Sequence, residues 1–336
     1  MSSGRVSTRR AALGLALTVV AATALTGCSA LGSDDSNASS TGGGGLEKSK
    51  IKVAILPTVD TAPLWLAQDA GYFKAEGLEV ETVMASSGQA ALTKAVSGET
   101  DIAISSYMPF FVAKSTGAAD IQLVADATSV SPKSVAIVTT PNSPVKSIKD
   151  LAGRRIAMTA KNTASDLLAK SLMADHGVDM TKVNWIPSPF PNTAAALAQG
   201  QVDAALLPEP FLSQAAKTAG AIPVIDVNTG ATQDFPLSGY GAATKWVQAN
   251  PKTLAAFQRA LQKATSETNK DRSKIEPLLM KYVKTDEDTT KLMGLPSFSA
   301  KLDARRLQRV PDLMLQMGAI TTKVDAASMI APQATT

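Results

Sequence analysis

Gly98-Glu-Thr-Asp101-Ile-Ala103 in the first half of the chain and Gly200-Gln-Val-Asp203-Ala-Ala205 in the second are two renderings of one local signal. Each glycine closes an alanine-rich stretch that reads as a helix, where a residue without a Cβ takes the left-handed turn most cheaply. Each aspartate then opens a short apolar run that reads as a buried strand. A helix, turn and strand written twice predict two similar α/β halves.

Around the first copy, Ile51-Lys-Val-Ala-Ile-Leu56 is a strand rich in β-branched residues, followed by a Pro/Thr/Asp turn and a helix that starts at Pro63. Residues 78–84 precede a helix near Gly88, residues 101–104 precede Tyr107, and residues 121–126 complete the set. Around the second copy lie strands at 155–159, 183–187 and 202–207, with a helix at 164–176. Strands that alternate with helices in this way predict largely parallel sheets. Two extended segments, 134–139 and 236–243, sit between the halves and are expected to cross between lobes as a hinge. The tail from Lys245 reads as helices, apolar at Leu254, Phe257 and Leu261 and again at Leu302, Leu307, Leu313 and Met314, packed back on the first lobe. The expected division is 51–136 with 240–336 as lobe 1, and 137–239 as lobe 2, hinge strands included.

The N-terminus belongs to neither half. Arg5, Arg9 and Arg10 precede a charge-free apolar run at 11–26, so residues 1–27 read as a secretory signal. The run falls short of the roughly 20 apolar residues that a spanning helix needs. Leu25-Thr26-Gly27-Cys28 resembles a bacterial lipobox, which implies that Cys28 is lipidated and becomes the new N-terminus. Cys28 is the only cysteine, so it has no internal disulfide partner. Thr8-Arg9-Arg10 leaves both general secretory and twin-arginine export open. Residues 28–50, rich in Ser, Gly, Asp and Asn, read as the lipidated cysteine and a flexible tether, reaching roughly 25 Å as a random coil.

The formal charge is +4, but three of the positive charges lie before Cys28, so the mature chain carries about +1. No cluster of Lys and Arg interleaved with aromatics occurs, which argues against nucleic acid as a partner. The sole histidine, His176, has no second histidine with which to build a metal site or a triad. No metal or other cofactor is expected.

In order and spacing, Pro63-Leu-Trp-Leu-Ala-Gln-Asp-Ala-Gly-Tyr-Phe-Lys-Ala-Glu-Gly-Leu-Glu-Val80, the run 98–104, Ile148-Lys-Asp-Leu-Ala-Gly153 and Leu207-Pro-Glu-Pro-Phe211 resemble the solute-binding family of ABC importers that handles sulfonates, nitrate, taurine and thiamine-type pyrimidines. The resemblance covers nearly the whole mature body. It implies a two-lobed α/β, periplasmic-binding-protein-like fold with two crossover strands and a C-terminal helical region. It also implies a lipid-anchored, extracytoplasmic monomer that presents a small polar organic or anionic solute, of the sulfonate, nitrate or taurine type, to a membrane permease. The alternatives are a binding protein for a thiamine-precursor pyrimidine, an extracytoplasmic sensor, and a relative of the thiamine-pyrimidine biosynthetic enzymes; the last carry a cysteine cluster that this chain lacks.

Ligands of α/β sheets bind outside the carboxyl ends of parallel strands, which nominates the residues at those ends. Thr58, Asp60 and Thr61 follow the first strand, with Asp60 equally readable as a helix cap. Ser86, Ser87 and Gly88 open the next helix, where free N–H groups receive anionic or polar groups. Ser105, Ser106 and Tyr107 follow the third strand, and the tyrosine offers a ring face and a hydroxyl. Across the cleft, Thr159, Asn162, Thr163 and Ser165 open a helix of the second half, and Glu209 sits between two prolines at a strand end. The hydroxyl-rich helix starts favour an anionic solute, whereas Asp60 and Glu209 favour one that donates hydrogen bonds. Trp65 and Trp185 read as core.

If Cys28 carries the anchor, Cys28→Ala will release the mature protein from membranes into the soluble fraction. Membrane association unchanged by the substitution, with no acyl mass on the wild-type protein, would refute the anchor.

Overall fold

The computed structural model describes residues 45–335, so the signal segment, Cys28 and most of the tether lie outside the described residues. Strands β1 (Lys50–Ile55), β2 (Glu79–Met84), β3 (Ile102–Ser106) and β4 (Ile121–Ser129) belong to a first sheet. Strands β5 (Val135–Thr139), β6 (Arg155–Met158), β7 (Asn184–Pro187), β8 (Ala204–Pro208) and β9 (Ile222–Asp226) form a second. The chain then returns to the first sheet through β10 (Pro236–Ala243) and the short β11 (Ser297–Phe298).

The sheets repeat one plan. The first runs β11-β4-β10-β3-β1-β2 and the second β7-β6-β8-β5-β9. In each, three parallel strands (β2-β1-β3, β7-β6-β8) are followed by an antiparallel strand that has just arrived from the other sheet. Strand β10 thus lies between β3 and β4, and β5 lies between β8 and β9. This corrects the expected division. Both β5 and β10 pair fully within single sheets, so the crossings fall in the connections 130–134 and 227–235 rather than in 134–139 and 236–243. Extended, apolar sequence marks a strand, but which sheet accepts it depends on hydrogen-bond partners far away in the chain.

The repeated aspartates explain why the signal was written twice. Asp101 accepts the backbone N–H of Lys52 on β1 at 2.8 Å and pairs with the Lys48 ammonium at 2.5 Å; Trp246 Nε1 donates to it at 2.8 Å. Asp203 accepts the backbone N–H of Arg155 on β6 at 2.9 Å and binds that residue's guanidinium through Nε and Nη2 at 3.2 and 2.7 Å. In both lobes a carboxylate just before one parallel strand pins the start of its neighbour. Arg155 holds the Asp203 carboxyl below its ordinary range, through the guanidinium bond first. Gly98 and Gly200 both take positive φ, 83° and 65°, as the helix stops require.

The folded body begins earlier than the expected tether end at residue 50. Glu47 accepts Thr253 N at 2.9 Å and Thr253 Oγ1 at 3.0 Å, at the start of the helix Pro251–Lys270, and Lys48 reaches Asp101. That helix packs on Ala62–Asp69 of the first lobe, with Phe257 stacked on Phe73 at 5.5 Å and edge-on to Tyr240 at 5.6 Å. Trp65 is buried and stacks on Tyr282 at 4.9 Å, a core role. The last long helix, Ala304–Gln316, packs against Tyr107–Thr116 and sends Arg306 to the fully buried Asp126 on β4.

Because a charge-assisted hydrogen bond contributes about 1.5–3 kcal/mol, Asp101→Ala and Asp203→Ala should each destabilise the body by about 2 kcal/mol. The two aspartates share no partner, so the losses should add in the double variant, as measured by chemical denaturation. A double variant no worse than either single one would show that the pins do not act independently.

Candidate functional site

Between the two sheets lies a narrow cavity, partly open to solvent. Its lining comes from the carboxyl ends of parallel strands in both lobes: Leu56 after β1, Ile104, Ser105 and Ser106 on β3, Thr159 after β6, and Leu206 and Pro208 on β8. The exchanged strands complete it with their first residues, Val135 on β5 and Leu237 and Ser238 on β10. Leu56, Ile104, Leu206, Leu237 and Phe190 make much of the wall apolar, and Phe190 is backed by Phe211 at 5.4 Å. An apolar cavity with a few convergent polar groups is the usual form of a small-molecule site.

Eight of the fourteen nominated residues meet here. Thr58, Asp60, Gly88, Ser105 and Ser106 line the first-lobe wall, and Thr159, Thr163 and Ser165 line the second. Gly88 is required by space, since a Cβ there would stand 2.2 Å from Ser105 Oγ. Thr159, Thr163 and Ser165 form a hydroxyl cluster with oxygen separations of 2.9–3.3 Å. The walls touch: Ala164 N donates to Ser106 Oγ at 3.3 Å, and Val59 N donates to the Glu209 carbonyl at 3.3 Å.

The other nominees have structural work elsewhere. Thr61 is fully buried and donates to the Leu56 carbonyl at 3.1 Å, bracing the loop that carries Asp60. Ser87 caps the helix Gly88–Ser97 by accepting Ala90 N at 3.1 Å, and Ser86 is exposed outside the lining. Tyr107 is turned into the core beneath β10 and donates to Asp126 at 2.5 Å, beside the Arg306 pair. Gly239 makes room for its ring, for a Cβ there would come within 2.4 Å of the Tyr107 hydroxyl. Asn162 occupies the left-handed turn, φ 58°, and its backbone N–H goes to Asp166. The Glu209 carboxylate is buried outside the cavity, accepting Ser213 N at 3.0 Å and Ser213 Oγ at 2.7 Å, with the Gly294 backbone as a further donor. Burial raises its pKa and these bonds oppose the rise. His176, exposed at the end of the helix Ala164–Asp175, bonds the Leu172 carbonyl at 2.8 Å through Nδ1.

Among the described residues, Asp60 is the one ionisable side chain in the lining. Ser238 and Thr128 face each other on β10 and β4 with their hydroxyls bonded at 2.7 Å, which leaves the pair one proton for the Asp60 carboxylate beside it. Burial pushes the Asp60 carboxyl from 3.8 up to about 6, with the two hydroxyls pulling the other way. Some of the residue's surface remains accessible, but what it faces is a cleft walled by protein. An anion about 5 Å from this carboxylate, at an effective permittivity of about 20, meets a repulsion of about 3 kcal/mol. One helix N-terminus in a partly buried site returns up to about 2 kcal/mol, less than this repulsion.

Ser238 and Thr128 carried no sequence signal, since they reach Asp60 only through strand pairing. Phe190, Leu206 and Leu237 are apolar residues whose neighbours along the chain do not mark a cavity wall.

A carboxyl whose pKa rises on folding adds stability at low pH that is lost as pH climbs from the unfolded value toward the folded one. From 3.8 to about 6, the loss for Asp60 amounts to about 3 kcal/mol in the empty protein. Asp60→Asn should therefore raise the melting temperature above pH 6 and leave it nearly unchanged at pH 4. Equal shifts at both pH values would show that the Asp60 charge is not strained.

A family model described as NMT1/THI5 like matches residues 58–274. A putative thiamine biosynthesis protein of Haemophilus influenzae is 27% identical over 302 residues, which cover 82% of this chain and 88% of that protein. A putative aliphatic sulfonates-binding protein of Escherichia coli is 28% identical over 166 residues, 49% of this chain and 48% of that one. The solved alkanesulfonate-binding protein of Xanthomonas axonopodis pv. citri, bound to MOPS, superposes with a TM-score of 0.73 at 19% identity, covering 85% of this chain and 99% of that one. At that identity the superposition shows the fold, an α/β, two-sheet, periplasmic-binding-protein-like architecture. With the family match spanning more than half of its length on that architecture, the chain belongs to the NMT1/THI5-like family.

Proposed function

We propose that this chain is the solute-binding component of an ABC importer, anchored through Cys28 on the extracytoplasmic face of the membrane and working as a monomer. It captures a small solute between its lobes and delivers it unchanged to the permease. The observation that carries this reading is the cavity itself, whose walls come from two sheets joined by two connections, 130–134 and 227–235. A ligand that touches both walls gains most of its binding energy when the lobes are together, and so shifts the balance toward the closed form.

The relatives' names point to sulfonates on one side and thiamine biosynthesis on the other, and the resemblance adds nitrate and taurine. Capture fits the cavity better than turnover. Its described lining offers hydroxyls and a carboxylate set against a hydroxyl pair, with no histidine, cysteine or lysine beside Asp60 to act as nucleophile or partner base. Among the described residues no helix is long and apolar enough to cross a membrane, in keeping with attachment through the N-terminal lipid.

A panel of sulfonates, nitrate, amines and aminopyrimidines will identify binders by thermal shift, with about 2.7 kcal/mol of stabilisation at a concentration 100 times Kd. A binder should reduce the radius of gyration in solution scattering and be recovered intact after long incubation. Tight binding with no compaction would undermine the clamp, and a stoichiometric product would assign the chain to an enzyme instead.

A further inference from the structure

Resting on the reading that this cavity holds the solute, we propose that it selects a small organic cation, a protonated amine or amidine on an apolar body, and turns away sulfonates, nitrate and carboxylates. The geometry reaches this from both walls. On the first, Asp60 is the only charged side chain among the described lining residues; no lysine, arginine or histidine faces it across the cavity. Ser238 and Thr128 hold it from behind, on β10 and β4. A carboxylate has about four lone-pair sites, so the hydroxyl pair leaves it free to accept from a ligand.

On the second wall, part of the place an anion would use is taken by the chain's own groups. The helix Ala164–Asp175 starts at the cavity, and such an N-terminus ordinarily receives negative charge. Here the chain supplies that charge itself. Asp166, fully buried, accepts the N–H groups of Asn162 at 3.1 Å and Thr163 at 2.9 Å, and pairs with Lys170 at 3.0 Å. The next donor, Ala164 N, is spent on Ser106. The hydroxyls of Thr159, Thr163 and Ser165 are bonded to one another. In the first lobe, Ser87 has claimed Ala90 N of the helix Gly88–Ser97, one of the donors at that helix start.

Two further features shape the ligand. Ser105 Oγ lines the cavity, is buried and has no hydrogen-bond partner, so it is available to a second polar atom on the ligand. Phe190, stacked on Phe211, gives the cavity a backed aromatic wall that suits a flat apolar body.

Charge is tested with benzamidine against benzoate and benzenesulfonate, matched in shape and opposite in charge, and with benzylamine alongside nitrate, titrated at pH 8 into wild type, Asp60→Asn and Ser86→Ala. The cations should bind wild type at least tenfold more tightly than their anionic counterparts. Asp60→Asn, folded as judged by circular dichroism, should lose that preference, while Ser86→Ala, altered at an exposed position outside the lining, should keep it. A sulfonate or carboxylate that outbinds its cationic match, or a preference unchanged in Asp60→Asn, would overturn the charge assignment and leave cleft capture standing. Binding of none of the five at millimolar concentration, together with no compaction in scattering, would count against both.

Discussion

Each sheet of this protein is completed by a strand that the other half of the chain delivers. Strand β10 arrives from the second lobe and lies between β3 and β4, while β5 arrives from the first lobe and lies between β8 and β9. Buried backbone N–H and C=O groups need partners, so neither sheet can close its ladder without the strand it receives. The lobes are therefore interlocked, and their relative motion is left to the two connections at 130–134 and 227–235. Positioning of the site follows from the same constraint. An antiparallel strand inserted beside parallel ones begins where they end, which puts Val135, Leu237 and Ser238 on the same edge as Leu56, Ile104 and Leu206.

The charge at that edge is held against its own preference. Asp60 is drawn into a cleft where the ionised form is disfavoured, and the Ser238 and Thr128 hydroxyls recover part of the cost. A group strained in the empty protein is suited to binding, because a ligand of complementary charge relieves what folding imposed. Asp166, by contrast, is fully buried but surrounded by donors and a lysine, so its charge is satisfied internally and stabilises a helix start. The two carboxylates flank one cavity with opposite consequences, set by how many donors each has before any ligand arrives.

Glu209 and Tyr107 show how position and direction separate. Both stand at strand ends on the cleft side, yet each side chain turns away: Glu209 onto Ser213 at the start of its own helix, Tyr107 onto Asp126 under β10. What Glu209 contributes to the cleft is its backbone carbonyl, which meets Val59 N from the other lobe. Tyr107 contributes indirectly, by supporting the segment of β10 that carries Ser238.

Local chemistry settled the α/β alternation, the repeat and the strand ends. Gly98 and Gly200 had to stop helices, Asp101 and Asp203 had to pin neighbouring strands, and β-branched runs had to be buried, and each of these follows from residues close together in the chain. That Thr58, Asp60, Gly88, Ser105, Ser106, Thr159, Thr163 and Ser165 line the cavity was legible for the same reason, since a residue just past a parallel strand lies at the cleft edge whatever the rest of the fold does. Tertiary structure alone decided which sheet accepts β5 and β10, which hydroxyls reach Asp60, and whether Glu209 or Tyr107 faces inward. Those outcomes depend on hydrogen-bond partners distant in sequence, and a side chain's direction is fixed by the donor it meets there rather than by its neighbours along the chain.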